Sequence, residues 1–314
     1  MVKSMNAAIA GLKSHQTKMD VLSNNIANVN TWGFKSRTTN FQDALYSNSI
    51  SGSAGKMENG KLGGINTSQI GYGNTVSSIS TNYSTGSGQY TGNPLDCMID
   101  GTAFFVVGPY RETGTGQGAV QIKNEEIGKN GLFLSRVGIF QPDSNGYLVD
   151  NTGNYVYGYA AKDDGKGNVT IEKENLVPIR IPENPKGTAG ADGKKPRYNI
   201  QTWTIGTDGT VVGVDETNVP HTIGKIAVAS VENPSGLEQS NGYLYSIGAN
   251  AGNVLAMQTT SATGTIKSNF LEMSNVDLAS DIATMITTQR GYQANTKIIT
   301  VTDEMLEQLV NMKR

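Results

Sequence analysis

At 314 residues the chain has room for two or three domains. Charged residues make up 17% of it and the formal net charge is -2, so it lacks the basic excess of a nucleic-acid binder. Glycine is abundant (38) and proline scarce (9), a composition of short strands and turns. Cys97 is the sole cysteine, which excludes an intramolecular disulfide. No apolar run approaches the roughly 18 residues a membrane helix needs, so direct membrane insertion is not expected. The start reads as lacking a cleaved secretory signal, because Lys3 is followed by mixed sequence.

The first stretch places Met5, Ala8, Leu12, His15, Met19, Leu22, Ile26 and Val29 at alternating steps of three and four. That heptad seam predicts one amphipathic helix. Asn24, Asn25, Asn28 and Asn30, followed by Gly33, predict its stop near Asn28. Residues 35–73 read as a connector: a short apolar patch at 41–46, then Ser- and Gly-rich sequence. From Val76 the texture is strand and turn. Ile79, Thr81 and Tyr83 alternate with polar residues, and 95–107 holds two strand-like pieces around Asp100-Gly101. Asn145-Gly146 between apolar residues is the strongest short hairpin signal. Residues 183–198 are polar and read as a loop or a small lobe. Strands resume around Trp203, Val211, Ile226 and Tyr243, and 248–264 is a second polar connector.

Residues 276–312 contain no proline, and Ile282, Met285, Gln289, Tyr292, Thr296, Ile299, Asp303, Leu306 and Val310 again step by three and four. A second helix is predicted, starting at Ser274-Asn275. The expected plan is nested. Residues 1–30 and 275–314 form a terminal helical, coiled-coil-like domain; 31–75 and 248–274 are connectors; 76–247 is an inserted β-rich domain.

No catalytic set is readable. His15 lies on the helix seam, and His221 sits beside Pro220 without a second ligand near it, so no zinc site or other metal site is expected. Aligning Asp143-x-Asn145-Gly146 with a calcium loop puts Gln141 and Thr152 where acidic ligands are needed. The glycines at 86, 88, 114, 116 and 118 lack the context of a phosphate loop. Cys97, in the apolar stretch 95–99, reads as a buried small residue. No carboxylate pair is singled out either, so the residues give an enzyme reading no support and no cofactor is expected.

The two amphipathic ends admit two readings: an intramolecular hairpin, or packing against other copies of the chain. The second helix is intrinsically weak. Thr284, Ile286, Thr287, Thr288, Thr296, Ile298, Ile299, Thr300, Val301 and Thr302 are β-branched, and Gly291 costs about 1 kcal/mol more. Such a helix forms only when packing supports it. Met5, Leu12, Met19, Leu22, Ile26, Val29, Ile282, Met285, Tyr292, Ile299, Leu306 and Val310 are the candidate self-assembly residues.

The segment 24–35, with Asn25, Ala27, Asn28, Thr31, Gly33 and Lys35, resembles the signature of the bacterial flagellar rod and hook axial proteins. Ser274, Asn275, Val276 and Asp277, then Gln289, Arg290, Tyr292, Gln293 and Asn295, resemble that family's C-terminal signature. Asn93-Pro94-Leu95-Asp96, 99–107 and 145–149 agree in order. Gly291 departs from the family's usual Ala. Within the family, 11–20, Phe41-Gln42-Asp43 and the 51–64 connector are most similar to hook subunits, with distal rod subunits as the alternative. A β-rich surface carbohydrate-binding or enzymatic protein is the competing class. The resemblance implies export through the flagellar type III apparatus and helical polymerisation into a hollow, torque-transmitting tube. It implies terminal helices in the inner layers, β domains outward, and a place in the extracellular hook. Implied partners are further copies of the chain and the distal rod, hook cap and hook–filament junction proteins.

Overall fold

The computed structural model describes residues 2–53, 64–110, 122, 123, 127, 131–163, 169–171, 175–180, 200–215, 218–240, 242–258 and 264–312. They form a mainly β chain flanked by two α-helices, α1 (Val2–Ala27) and α2 (Leu278–Met312), the class expected from the sequence. The chain divides into a helical unit, residues 1–29, 36–82 and 276–314, and a β-rich unit, residues 30–35 and 83–275.

In the helical unit, α1 stops at Ala27, beside the predicted end. The stretch read as a connector is instead largely two antiparallel ribbons. β1 (Arg37–Asp43) pairs with β4 (Asn74–Thr81), and β2 (Tyr46–Ile50) with β3 (Ser68–Gly71). These strands are rich in Thr, Ser and Asn, so ladder hydrogen bonds define them more than apolar alternation does. β1 and β4 pack on α1. At Gly73, φ is +105°, and a Cβ would lie 3.0 Å from the Ala7 carbonyl oxygen and 3.1 Å from the Ala10 Cβ. Glycine on one side and alanine on the other permit that approach. α2 begins later than expected, because its N-cap is Asp277 and not Ser274-Asn275. The Asp277 Oδ1 accepts from the Ala279 N–H at 3.0 Å and the Ser280 N–H at 3.4 Å.

In the β-rich unit, β5 (Gly88–Tyr90) pairs with Phe270–Glu272, and β6 (Cys97–Asp100) with Thr265–Ser268. β7 (Phe104–Gly108) is buried along its whole length. It lies inside a large antiparallel sheet whose strand order is Ile200–Ile205, Thr210–Asp215, Pro220–Ile226, Tyr155–Asp163, β7, Phe133–Ser135, Leu244–Ile247 and Leu237–Gln239. The period-two alternation of β7 sends Phe105 and Val107 to one apolar core, with Phe140, Val156 and Ile226. Phe104 and Val106 go to a second core, with Leu134, Tyr157 and Ala229. That explains a continuous apolar run where a one-faced strand would alternate. Asp100-Gly101 separates β6 from β7, which join different partners. Asn145-Gly146 turns Phe140–Pro142 back onto Leu148–Asp150, with Gly146 at φ +76°.

The second expected connector is likewise partly sheet: Val254–Met257 pairs with Val228–Val231. Its Ala251, Val254 and Ala256 are buried in the second core. The expected β boundaries of 76 and 247 therefore move to 83 and 275, with 30–35 added. The 183–198 stretch and the glycines at 114–118 lie outside the described residues.

The segments 30–35, 83–87 and 270–275 close the β-rich unit around one buried carboxylate. Glu272 Oε1 accepts from Lys35 Nζ at 2.6 Å and from the Gly86 N–H at 2.9 Å. Glu272 Oε2 lies 3.3 Å from Arg136 Nε, an ion-pair contact without hydrogen-bond geometry. The Glu272 carbonyl accepts from the Gly33 N–H at 2.8 Å. Arg136 donates to the Ala103 carbonyl and, at 2.7 Å, to the Gly101 carbonyl, and stacks over Phe104. All three charged side chains are essentially inaccessible. Burial, and then the Arg136 charge, bring the Lys35 amine down from 10.5 to about 8; Glu272 only partly offsets them.

Glu272→Gln, which leaves two buried cations without a carboxylate, should cost the unit about 3–5 kcal/mol. The measurement is urea unfolding followed by the fluorescence of Trp32 and Trp203, both in this unit. The lowered Lys35 pKa also sets a sign. Between about pH 8 and 10.5 the folded chain binds fewer protons at Lys35 than the unfolded chain, so stability from this site rises with pH. The stability difference between wild type and Lys35→Met should shift toward wild type across that window and stay flat at lower pH.

Candidate assembly surface

The two helices run antiparallel, and small or polar residues form their contact. Asn25 faces Asp281, with Nδ2 donating to Oδ2 at 3.2 Å. His15 faces Gly291, where an added Cβ would lie 3.0 Å from the imidazole. Gly11 faces Asn295, whose Nδ2 would lie 2.6 Å from a Cβ on Gly11. Asp281 and Asn295 belong to a heptad-spaced row with Thr288 and Thr302, both buried. The hydroxyls of Thr288 and Thr302 donate to the Thr284 and Ile298 carbonyls one turn back. They therefore ask nothing of α1.

The row on α2 expected to carry assembly is turned by one residue, about 100°, from the row that packs on α1. Ile282, Tyr292, Leu306 and Val310 are exposed, and Met285 and Ile299 half-buried. The reason is steric: a glycine on each helix allows an approach that bulky aliphatic side chains would prevent. In this register the start of α1 falls opposite residue 304 or so, and 305–312 extend beyond it. Met305, Leu309 and Met312 there are exposed as well. On α1, Met5, Leu12, Met19 and Ile26 are half-buried, as is Val29 just beyond it, while Leu22 is buried at 6% exposure. Leu22 thus packs inside the helical unit of its own chain. The β2–β3 ribbon adds Leu45, Tyr46, Ile50 and Ile70 to the exposed apolar surface.

The signature residues divide by task. Asn25 is 2% exposed. Its side chain pairs with both backbone groups of Arg37: Nδ2 donates to the carbonyl at 2.9 Å, and Oδ1 accepts from the N–H at 3.0 Å. One amide thus ties α1, β1 and α2 together. Asn28 donates from Nδ2 to the Asn24 carbonyl at 2.9 Å. Gly33 needs its φ of +64°, and a Cβ there would meet Val137 at 2.9 Å. Asn275 donates from Nδ2 to the Ser84 carbonyl at 3.3 Å, and its N–H donates to the Phe34 carbonyl at 3.4 Å. Ser274 and Val276 are half-buried. Ala27, Thr31, Gln289, Arg290 and Gln293 are exposed.

Sequence reasoning missed Glu272, Arg136, Asp281 and the buried threonines. A lone acid in the apolar run Phe270-Leu271-Glu272-Met273 was the available signal for the first. The remaining candidates stay apart. His15 packs edge-on against Phe41 at 5.9 Å. Cys97 is fully buried, and burial raises its thiol pKa, with Asp96 adding to the shift. Among the described residues no three His, Cys, Asp or Glu side chains could share a metal ion, and no helix is long and apolar enough to cross a membrane.

Comparison with known proteins agrees with the position of these features. Residues 5–35 match the family described as flagella basal body rod protein. Residues 267–312 match the flagellar basal body rod FlgEFG protein C-terminal family. The chain is 36% identical over 316 aligned residues to the flagellar basal-body rod protein FlgG of Bacillus subtilis, covering all of both chains. It belongs to the flagellar basal-body rod and hook protein family. It is also 27% identical over 463 aligned positions to the flagellar hook protein FlgE of Borreliella burgdorferi, again covering both chains. A third relative, the FlgE of Treponema pallidum, is 37% identical over 164 residues, 52% of this chain and 31% of that one. The family is structural and not enzymatic, and its subunits polymerise within the flagellar axis.

Asn25→Ala should cost the helical unit about 2 kcal/mol, because it removes two hydrogen bonds to the Arg37 backbone and one to Asp281. Hydrogen exchange should report it as lost protection at the Arg37 amide and along the C-terminal half of α1.

Proposed function

We propose that the chain is an axial subunit of distal rod type, polymerising helically into a hollow tube. The α1–α2 unit forms the inner layer and the β-rich unit faces outward. The observation that carries this reading is the division of labour on α2. Its small, polar face packs on α1, while Ile282, Leu306 and Val310 are left for other copies. Apolar surface of that kind on a helix, together with the exposed β2–β3 ribbon, is what an interface uses.

The rod type is favoured over the hook type by length. The Bacillus subtilis rod protein aligns end to end over 316 residues. The Borreliella hook protein needs 463 aligned positions against the 314 of this chain, so it carries long stretches without a counterpart here. The hook reading retains the support of 11–20, Phe41-Gln42-Asp43 and the 51–64 connector. Under it the partners become the distal rod, hook cap and hook–filament junction proteins, and the place the extracellular hook. Export through the flagellar type III apparatus, without a cleaved signal, is part of both readings.

Ile282→Asp and Leu306→Asp should abolish polymerisation of the purified chain while the Trp203 fluorescence of the β-rich unit stays native. Leu22→Asp should instead disrupt the helical unit itself. Tubes formed normally by Ile282→Asp and Leu306→Asp would remove the proposed interface. Immunogold labelling of purified basal bodies separates rod from hook: label between the membrane rings supports the rod, and label on the external curved segment the hook.

A further inference from the structure

Four peptide bonds carry the chain between its two units, at 29–30, 35–36, 82–83 and 275–276. In the β-rich unit, the three segments that receive them are bound to one another before any of them reaches the main sheet. Glu272 holds Lys35 and Gly86 through its carboxylate and Gly33 through its carbonyl. The Ser84 carbonyl accepts from Lys35 Nζ at 2.8 Å and from Asn275 Nδ2 at 3.3 Å. The Phe34 carbonyl accepts from the Asn275 N–H, and the Ser87 carbonyl from the Met273 N–H. Arg136 fastens this knot to the strand-end carbonyls of Gly101 and Ala103. Packing leaves no slack: a Cβ on Gly86 would lie 2.2 Å from the Met273 carbonyl oxygen.

Buried ion pairs are a poor source of equilibrium stability, since apolar groups of similar volume often do as well. The hydrogen bonds that surround these pairs are short-ranged and directional, and here they join the ends of the segments through which the chain enters and leaves. We propose that the Lys35–Glu272–Arg136 knot is a tension clamp: it makes the crossing segments share any pull that reaches the β-rich unit through the chain, so that no single strand is peeled from the sheet. The clamp gains its purpose from the axial reading above, in which subunits transmit torque, but its mechanical signature belongs to the isolated chain.

The test is single-molecule pulling of the full-length protein from tags at its two ends. Tension passes along α1 and α2 and reaches the β-rich unit at residues 30 and 275, across the knot. Wild type should resist until the unit opens in one step. Lys35→Met should open it at least several-fold faster at the same force, and Lys35→Arg should restore part of the resistance. A control pair of handles, Asn145→Cys and Val219→Cys, pulls the same unit at exposed positions away from the knot; buried Cys97 stays unlabelled. Along that axis Lys35→Met should open no more than about twofold faster. Equal acceleration along both axes, or none across 30 and 275, overturns the clamp. Should Lys35→Met fail to fold, Asn275→Ala, which removes the side-chain bonds to Ser84, must still show the directional loss, and its absence overturns the proposal. Absence of the chain from purified axial structures would sink the rod and hook readings and leave the pulling result untouched.

Discussion

The β-rich unit depends on a single buried carboxylate. Glu272 sits at the end of the strand Phe270–Glu272 and receives Lys35, Gly86 and Arg136 from three separate stretches of chain. Two cations and one anion share an almost solvent-free site, so the amine of Lys35 is held with a weakened grip on its proton. Loss of the carboxylate would leave two cations buried without their counter-charge. The cost fixes the geometry. Segments distant in sequence meet at this point.

The helical unit follows a different rule. Its two helices approach through Gly11, Gly291, Asn295 and threonines whose hydroxyls are already satisfied within α2. Close approach consumes the small face and leaves the large aliphatic side chains of α2 facing outward. A tighter intramolecular pair and a stickier outer surface are therefore two results of one residue pattern. The family to which the chain belongs polymerises within the flagellar axis, and a subunit built this way offers copies of itself a long apolar strip.

Much of this could be read before any coordinates. The three-four stepping from Met5 to Val29 marked α1, and Asn145-Gly146 marked its hairpin, because both signals are local. The period of α2 was visible too, but not which face would pack on α1. Apolar periodicity identifies the greasiest stripe, whereas close helix contact here selects the smallest one. The alternation at Ile79 and Thr81 marked β4, but β1 to β3 were read as connector, because Thr, Ser and Asn in a ladder look like linker by hydropathy. Val254–Met257 was absorbed into a polar connector for the same reason: four residues of strand are outvoted by their neighbours. Lys35 carried the family signature, yet its partners Ser84 and Glu272 lie 49 and 237 positions away in the chain, separations no local pattern can encode.

One consequence concerns oxidation. The only thiol of the chain, Cys97, has no exposed surface, and burial suppresses its thiolate. Exchange and sulfenic acid formation both need a reachable thiolate. Folded copies stacked side by side therefore present one another with no redox-active sulfur, whatever the oxidant around them. A polymer of folded copies thus has no cysteine route to covalent cross-linking.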